Sequence, residues 1–157
     1  MALRTICLLG GSGFVGTHLA AALARDGWRI TVPTRNPAAA GHLAMIPTLR
    51  LVAADVHDPA QLAMLCAGQQ AVVNLIGILN EAGRNGHGFA RAHAEFARKL
   101  VEACGRQKVD RLLQVSALNA DADHGPSHYL RSKGQAERIL REESGPDLRC
   151  TIFQPSV

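Results

Sequence analysis

The chain has 157 residues, of which 47% are hydrophobic, 19% charged and 4% aromatic, with a formal net charge of +4. That length suits one domain able to bury its own core without disulfide or metal staples, and the apolar fraction excludes intrinsic disorder. Fifteen glycines without a three-residue period exclude collagen, and the dispersed positive charge forms no block that would indicate a nucleic-acid partner.

In chain order, short runs rich in β-branched residues read as strands at Thr5–Leu9, Arg29–Pro33, Leu49–Ala53, Ala71–Ile76, Arg111–Ser116 and Arg149–Phe153. Most are continuously apolar, the pattern of strands buried on both faces of a parallel sheet. Helical periodicity fills the gaps, most clearly at Gly13–Arg25, Pro59–Cys66, Phe89–Cys104 and Ser127–Glu143. Gly27, Gly68, Gly105 and Gly145 stand where a left-handed helix terminus is wanted. Asp58-Pro59-Ala60-Gln61 reads as an N-cap, a proline at the first helical position and a capping-box Gln. Asn36-Pro37 is expected to open a shorter helix in the same way. Alternating β and α elements with buried strands imply a Rossmann-type three-layer α/β sandwich, its six parallel strands in the order 3-2-1-4-5-6.

Targeting and membrane segments are not expected. The apolar run Ile6–Leu9 is cut at once by Gly10, Gly11 and Gly13, and Ala71–Leu79 is less than half the ~20 residues of a membrane span. Cys7, Cys66, Cys104 and Cys150 lie too far apart for a metal framework, and the apolar neighbours of Cys7, Cys66 and Cys104 make them read as buried free thiols, from which a reducing cytoplasm is expected. The His and Cys residues form no convincing metal constellation.

The chemistry begins at Gly10-Gly11-Ser12-Gly13-Phe14-Val15-Gly16, which leaves the first strand and opens the first helix. Gly10 permits the tight turn, Gly13 lets a pyrophosphate approach the backbone, and Gly16 allows close helix packing. The first helical N–H groups and the helix dipole then face the phosphates. No Gly-Lys-Ser/Thr follows, so the loop is not of the NTPase kind. Val32-Pro33-Thr34-Arg35-Asn36 ends the second strand without the carboxylate that would bind the ribose 2′-hydroxyl of NAD(H), whereas Arg35 suits a 2′-phosphate. NADP(H) is therefore the favoured cofactor, with NAD(H) as the alternative. Asp55 and Val56 follow the third strand where the adenine would lie, Asp55 either accepting from the adenine amino group or serving a turn. Leu75, Ile76 and Gly77 flank the ribose and nicotinamide path.

Tyr129 and Lys133 are four apart and share a helix face, and Ser116 ends the fifth strand. A tyrosine can exchange a proton with a substrate oxygen, a nearby ammonium lowers its pKa, and a serine hydroxyl can hold that oxygen. Together with the glycine loop, Asn74-Leu75-Ile76-Gly77 and the closing Gln154-Pro155-Ser156-Val157, this order resembles the extended or atypical short-chain dehydrogenase/reductases, a superfamily that includes NAD-dependent epimerases and dehydratases. More narrowly it is similar to the nucleotide-binding accessory subunit of mitochondrial respiratory complex I and its bacterial relatives. The resemblance implies a dinucleotide site that includes Pro155, Tyr129 as acid/base, Lys133 on the nicotinamide ribose and Ser116 assisting. It also implies that residues 1–157 are the nucleotide-binding part of a longer protein whose further segments close a pocket for an unknown small-molecule substrate. Two roles stay open: a non-catalytic NADP(H)-holding subunit, associated with a respiratory complex and peripheral to the inner membrane, and an active oxidoreductase or sugar-nucleotide epimerase/dehydratase.

The chain departs from the pattern at His93, where many extended members carry Asn. A capping or solvated His is expected there, a substitute proton donor being the sharper alternative. Gln154 also stands where many relatives have Arg. Arg84, Arg91 and Arg98 are expected on a solvated helix face. Phe89, Phe96, Leu100 and Cys104 form a stripe that packs either into the core or across a homodimer through the fourth and fifth helices.

Overall fold

The computed structural model describes residues 4–83 and 85–156; Arg84 and Val157 lie outside them. Its elements alternate as the sequence patterning predicts: β1 (Thr5–Leu9), α1 (Phe14–Arg25), β2 (Arg29–Thr34), a 3₁₀ turn (Gly41–Met45), β3 (Leu49–Ala53), α2 (Pro59–Cys66), β4 (Ala71–Asn74), α3 (His87–Ala90), a π-helical turn (Arg91–Glu95), α4 (Phe96–Arg106), β5 (Arg111–Val115), α5 (His128–Glu143) and β6 (Arg149–Phe153). All neighbouring strands are parallel, and the sheet order is β3-β2-β1-β4-β5-β6.

Because side chains alternate along a strand, β1 supplies both faces of the core. Cys7 and Leu9 pack with Leu62, Phe96, Leu100 and Leu140 beneath α2, α4 and α5. Ile6 and Leu8 pack with Ala20, Ile30, Val32 and Leu43 beneath α1 and the 3₁₀ turn. β1 and β4, at the centre, are buried almost throughout, whereas β3 and β6 at the edges alternate between half-buried and exposed. Continuous apolar patterning was expected of most strands; only the central ones have helices over both faces.

Several local expectations are corrected. β4 ends at Asn74, not Ile76, because the Asn74 side-chain Oδ1 accepts the Ile76 N–H at 3.0 Å and turns the chain away from the ladder. Asp58 caps α2 as expected, but Gln61 reaches back to the Asp55 N–H at 2.9 Å and leaves that of Asp58 alone. Gly27 and Gly68 are left-handed; Gly105 lies inside α4 and Gly145 is not left-handed, Lys108 taking the positive φ after α4 instead. Asn36 caps only a turn, accepting from the Ala39 N–H, and the 3₁₀ turn begins at Gly41. Phe96, Leu100 and Cys104 are core residues of this chain, so that stripe is not a face left for a second copy. Arg98 is tied to Glu143 by paired hydrogen bonds of 2.9–3.1 Å. Cys7, Cys66 and Cys104 are fully buried and Cys150 half-buried, all as free thiols.

Candidate functional site

The C-terminal ends of β1, β2, β3 and β4 open into a cleft of about 280 Å³ lined by Gly10, Ser12, Pro33, Thr34, Arg35, Asn36, Ala54, Val56, His57 and Ile76. Gly10 has φ +77°, and a Cβ there would press on the backbone of Leu75 and Ile76 at 3.2 Å. A Cβ on Gly16 would overlap the backbone of Gly11, so the glycine lets α1 pack on its own loop more than on the sheet. Gly13 differs: its Cβ would meet only the Gly10 carbonyl, at 3.4 Å, so the space beside it is open. Gly13 is also the N-cap of α1 and contributes no side-chain cap, and the first turn holds no acidic residue. The amides of Phe14 and Val15 are therefore left for an external anion, while their side chains stay exposed. A glycine cradle with uncapped amides fits a dinucleotide pyrophosphate.

At the adenosine end, Arg35 is exposed and has no ion-pair partner among the described residues, and no carboxylate lines the cleft. Val56 lines the cleft as expected. Asp55 does not; it is exposed, and its Oδ1 accepts from the His57 N–H at 3.0 Å. His57 takes a place on the wall that sequence reasoning did not assign.

The other end is built by side chains. Ser127 caps α5, its Oγ accepting from the Leu130 N–H, which sets Tyr129 and Lys133 on the face toward β4 and β5. Lys133 is buried; its Nζ donates to the Val115 carbonyl at 3.2 Å and lies over the Tyr129 ring, 5.8 Å from the centroid. A Cβ on Gly77 would sit 3.2 Å from Lys133 Nζ, so the glycine lets the ammonium approach the backbone closely. Burial lowers the Lys133 pKa to about 8 against the opposing pull of Glu137, and burial raises that of Tyr129. The phenol thus stays protonated at neutral pH, suited to donating a proton; the expected lowering by the ammonium is not the dominant effect. Ser116 is buried beside Val115, and its hydroxyl has no hydrogen-bond partner among the described residues. Such a group costs free energy unless a ligand satisfies it. Tyr129 and Pro155 share a second cavity of about 300 Å³ with Ala117, Leu118 and Ser127. Pro155 is held there because its carbonyl accepts the Leu118 N–H at 3.0 Å and because Gln154 donates to the buried Glu137 at 2.7 Å.

Sequence reasoning misjudged His93. It is neither a cap nor solvated: it is 3% exposed and its ring lies 5.5 Å from that of Tyr129. Its partners are 15 and 39 positions away in sequence, so no local pattern could show them.

Comparison with known proteins bears on the family and the fold. The ceramide reductase of Caulobacter vibrioides is 31% identical over 136 residues, covering 87% of this chain and 41% of that protein. The mitochondrial NADH dehydrogenase (ubiquinone) 1 alpha subcomplex subunit 9 of Dictyostelium discoideum is 28% identical over 157 residues, covering 96% and 41%. The chain thus spans about two fifths of the length of these curated relatives. In fold it matches the UDP-glucuronic acid 4-epimerase from Bacillus cereus, solved in complex with NAD, with a TM-score of 0.82 at 17% identity over 98% of this chain and 57% of that one. No described helix is long and apolar enough to cross a membrane. The profile of the NAD(P)H-binding family matches residues 10–157, the span that carries the glycine cradle, the arginine and the Tyr-Lys helix, and the chain belongs to that family.

Proposed function

We propose that this chain binds NADP(H) in preference to NAD(H), as the nucleotide-binding part of a short-chain dehydrogenase-like protein. One observation carries the reading: the adenosine end of the cleft presents an exposed, unpaired arginine and no carboxylate. A guanidinium offers a 2′-phosphate charge-assisted hydrogen bonds, and the missing carboxylate removes both the ribose acceptor and the repulsion. Gly10, Ser12, Gly13, Phe14, Val15 and Gly16 hold the pyrophosphate, Arg35 the 2′-phosphate, Val56 borders the adenine with Asp55 serving the turn beside it, and Leu75, Ile76, Gly77, Tyr129, Lys133 and Pro155 surround the nicotinamide half. Titration with NADPH and NADH tests this directly. NADPH should bind more tightly, and Arg35→Ala should remove the difference; tighter binding of NADH by the unaltered chain would refute it.

The unpartnered Ser116 hydroxyl favours a second reading, in which the longer protein is an oxidoreductase. Bound NADP(H) would supply or accept hydride at nicotinamide C4. Ser116 would hold the substrate oxygen, Tyr129 would give or take its proton, and the Lys133 ammonium would stabilise the anionic side of that transfer. The relatives divide along the same line, one named as a reductase and another as a subunit of a respiratory NADH dehydrogenase. The first favours turnover; the second favours a held cofactor and association with a respiratory complex. In the full-length protein, turnover lost in Tyr129→Phe with cofactor affinity kept supports the enzyme. Slow cofactor release without reductase activity supports the holding subunit.

A further inference from the structure

His93 joins two segments that share no other hydrogen bond among the described residues. Its Nε2 accepts the Ile78 N–H at 3.3 Å, and its Nδ1 lies 2.8 Å from Ser132 Oγ, which in turn donates to the Tyr129 carbonyl at 2.7 Å. An amide N–H aimed at Nε2 leaves that nitrogen only an acceptor's role, so the ring proton belongs on Nδ1 and is donated to Ser132. The direction of every bond in the chain from Ile78 to Tyr129 is thereby fixed. On the outer side Phe89 stacks against the His93 ring, centroids 6.0 Å apart, and meets Tyr129 edge-on at 5.8 Å.

The helix is irregular where it carries this residue. His93 is the middle of the π-helical turn Arg91–Glu95, which is continuous with α3 and α4. A π turn inserts one residue, about 100° of extra rotation, into an α-helix. Phe89 and His93 can therefore face α5 while Phe96 and Leu100, further along, face the sheet core. The start of the same helix is fixed by Glu81, whose carboxylate accepts the N–H groups of Gly86, Gly88 and Phe89 at 2.8–3.3 Å.

We infer that His93 is a positioning residue, a fixed neutral imidazole that clamps the Gly77–Ile78 segment to the Tyr129–Ser132 turn of α5 and so sets the geometry of Tyr129 and Lys133. That the clamped end receives the nicotinamide half follows from the dinucleotide reading above; the clamp follows from the hydrogen bonds alone. Both ring nitrogens are engaged, so His93 moves no proton in the site. Burial, and the charge of Lys133 beside it, push its pKa down to about 4, in keeping with that neutral role.

The test uses Ser132→Ala, which removes the acceptor for Nδ1–H without touching Ile78, and Ser132→Thr, which keeps a hydroxyl. In Ser132→Ala the Ile78 amide should exchange its hydrogen about tenfold faster, while the Leu75 amide, bonded to the Leu9 carbonyl, should be unchanged. Ser132→Thr should restore protection at Ile78. In Ser132→Ala NADPH should also bind about tenfold more weakly, while adenosine 2′,5′-bisphosphate, which lacks the nicotinamide half, should bind as before. Unchanged exchange at Ile78, or a parallel loss for both nucleotides, overturns the inference. If the unaltered chain binds neither nucleotide, the dinucleotide reading fails, and exchange at Ile78 still decides the clamp.

Discussion

The two ends of the site are made of different materials. Around β1 and β2 the walls are mostly backbone: a left-handed Gly10, an open Gly13, uncapped amides of α1 and a single arginine at the rim. Around β4, β5 and α5 they are side chains from several elements, with His93, Ser132, Tyr129 and Lys133 bonded or stacked on one another. A backbone site fails abruptly, because a Cβ at Gly10 or Gly16 meets backbone that has no room to give. A side-chain site can be retuned one contact at a time, which is where related proteins have room to differ in chemistry while sharing a cofactor.

Breaking the backbone end should have the largest effect. Gly16→Ala drives a Cβ into the Gly11 backbone. Overpacking of this kind costs about 1–3 kcal/mol, so calorimetry should show Tm lower by several degrees and titration should show nucleotide binding lost. Arg35→Ala should leave the cradle intact but weaken NADPH by roughly 10–100-fold, the worth of about 1.5–3 kcal/mol for hydrogen bonds to a charged group, with NADH barely changed. At the side-chain end the contrast sharpens with pH. If the Lys133 ammonium contributes to binding, nucleotide affinity is full below about pH 8 and declines as pH rises through that value, and Lys133→Met should abolish the decline. His93 gives a smaller signal on the acid side. Its folded pKa lies below its unfolded one, so the unfolded chain binds the extra proton between about pH 4 and the ordinary histidine value of 6.5. Wild-type stability relative to His93→Asn should rise with pH across that window and be flat above it, as read from denaturant midpoints. Gly105→Ala, inside α4 with nothing within 4 Å of the added Cβ, should stabilise by about 0.5–1 kcal/mol and leave binding unchanged.

The same contrast explains what could be read in advance. Strand order, the glycine cradle and the arginine at the end of β2 depend on local patterns and on parallel-sheet topology, so they are visible in a linear string. The Tyr129–Lys133 pair was visible for the same reason, four residues apart on one helix. What was not visible depends on partners distant in sequence. Gln61 left its expected capping-box bond because the Asp55 N–H lay within reach. β4 stopped early because the Asn74 side-chain amide donates to Gln114, 40 residues on, which leaves its Oδ1 to accept the Ile76 N–H. His93 became part of the site only through a π turn, which a periodicity of 3.6 residues does not anticipate.

The thiols of the core add a consequence of another kind. Cys7, Cys66 and Cys104 come from β1, α2 and α4, and none exposes measurable surface. Burial holds the Cys7 thiol, and a hydrogen bond with Cys66 together with burial holds the Cys104 thiol, far above the ordinary thiol range, so neither offers a thiolate while the fold is closed. Cys150, half-buried on the edge strand β6, is the accessible exception. The molecule therefore carries an internal clock: one thiol reports fraying of an edge, and three report opening of the central layers. The interval between fast and slow labelling by a thiol reagent would measure how much more firmly the nucleotide-facing centre is held than its rim, and how far a bound nucleotide lengthens that interval.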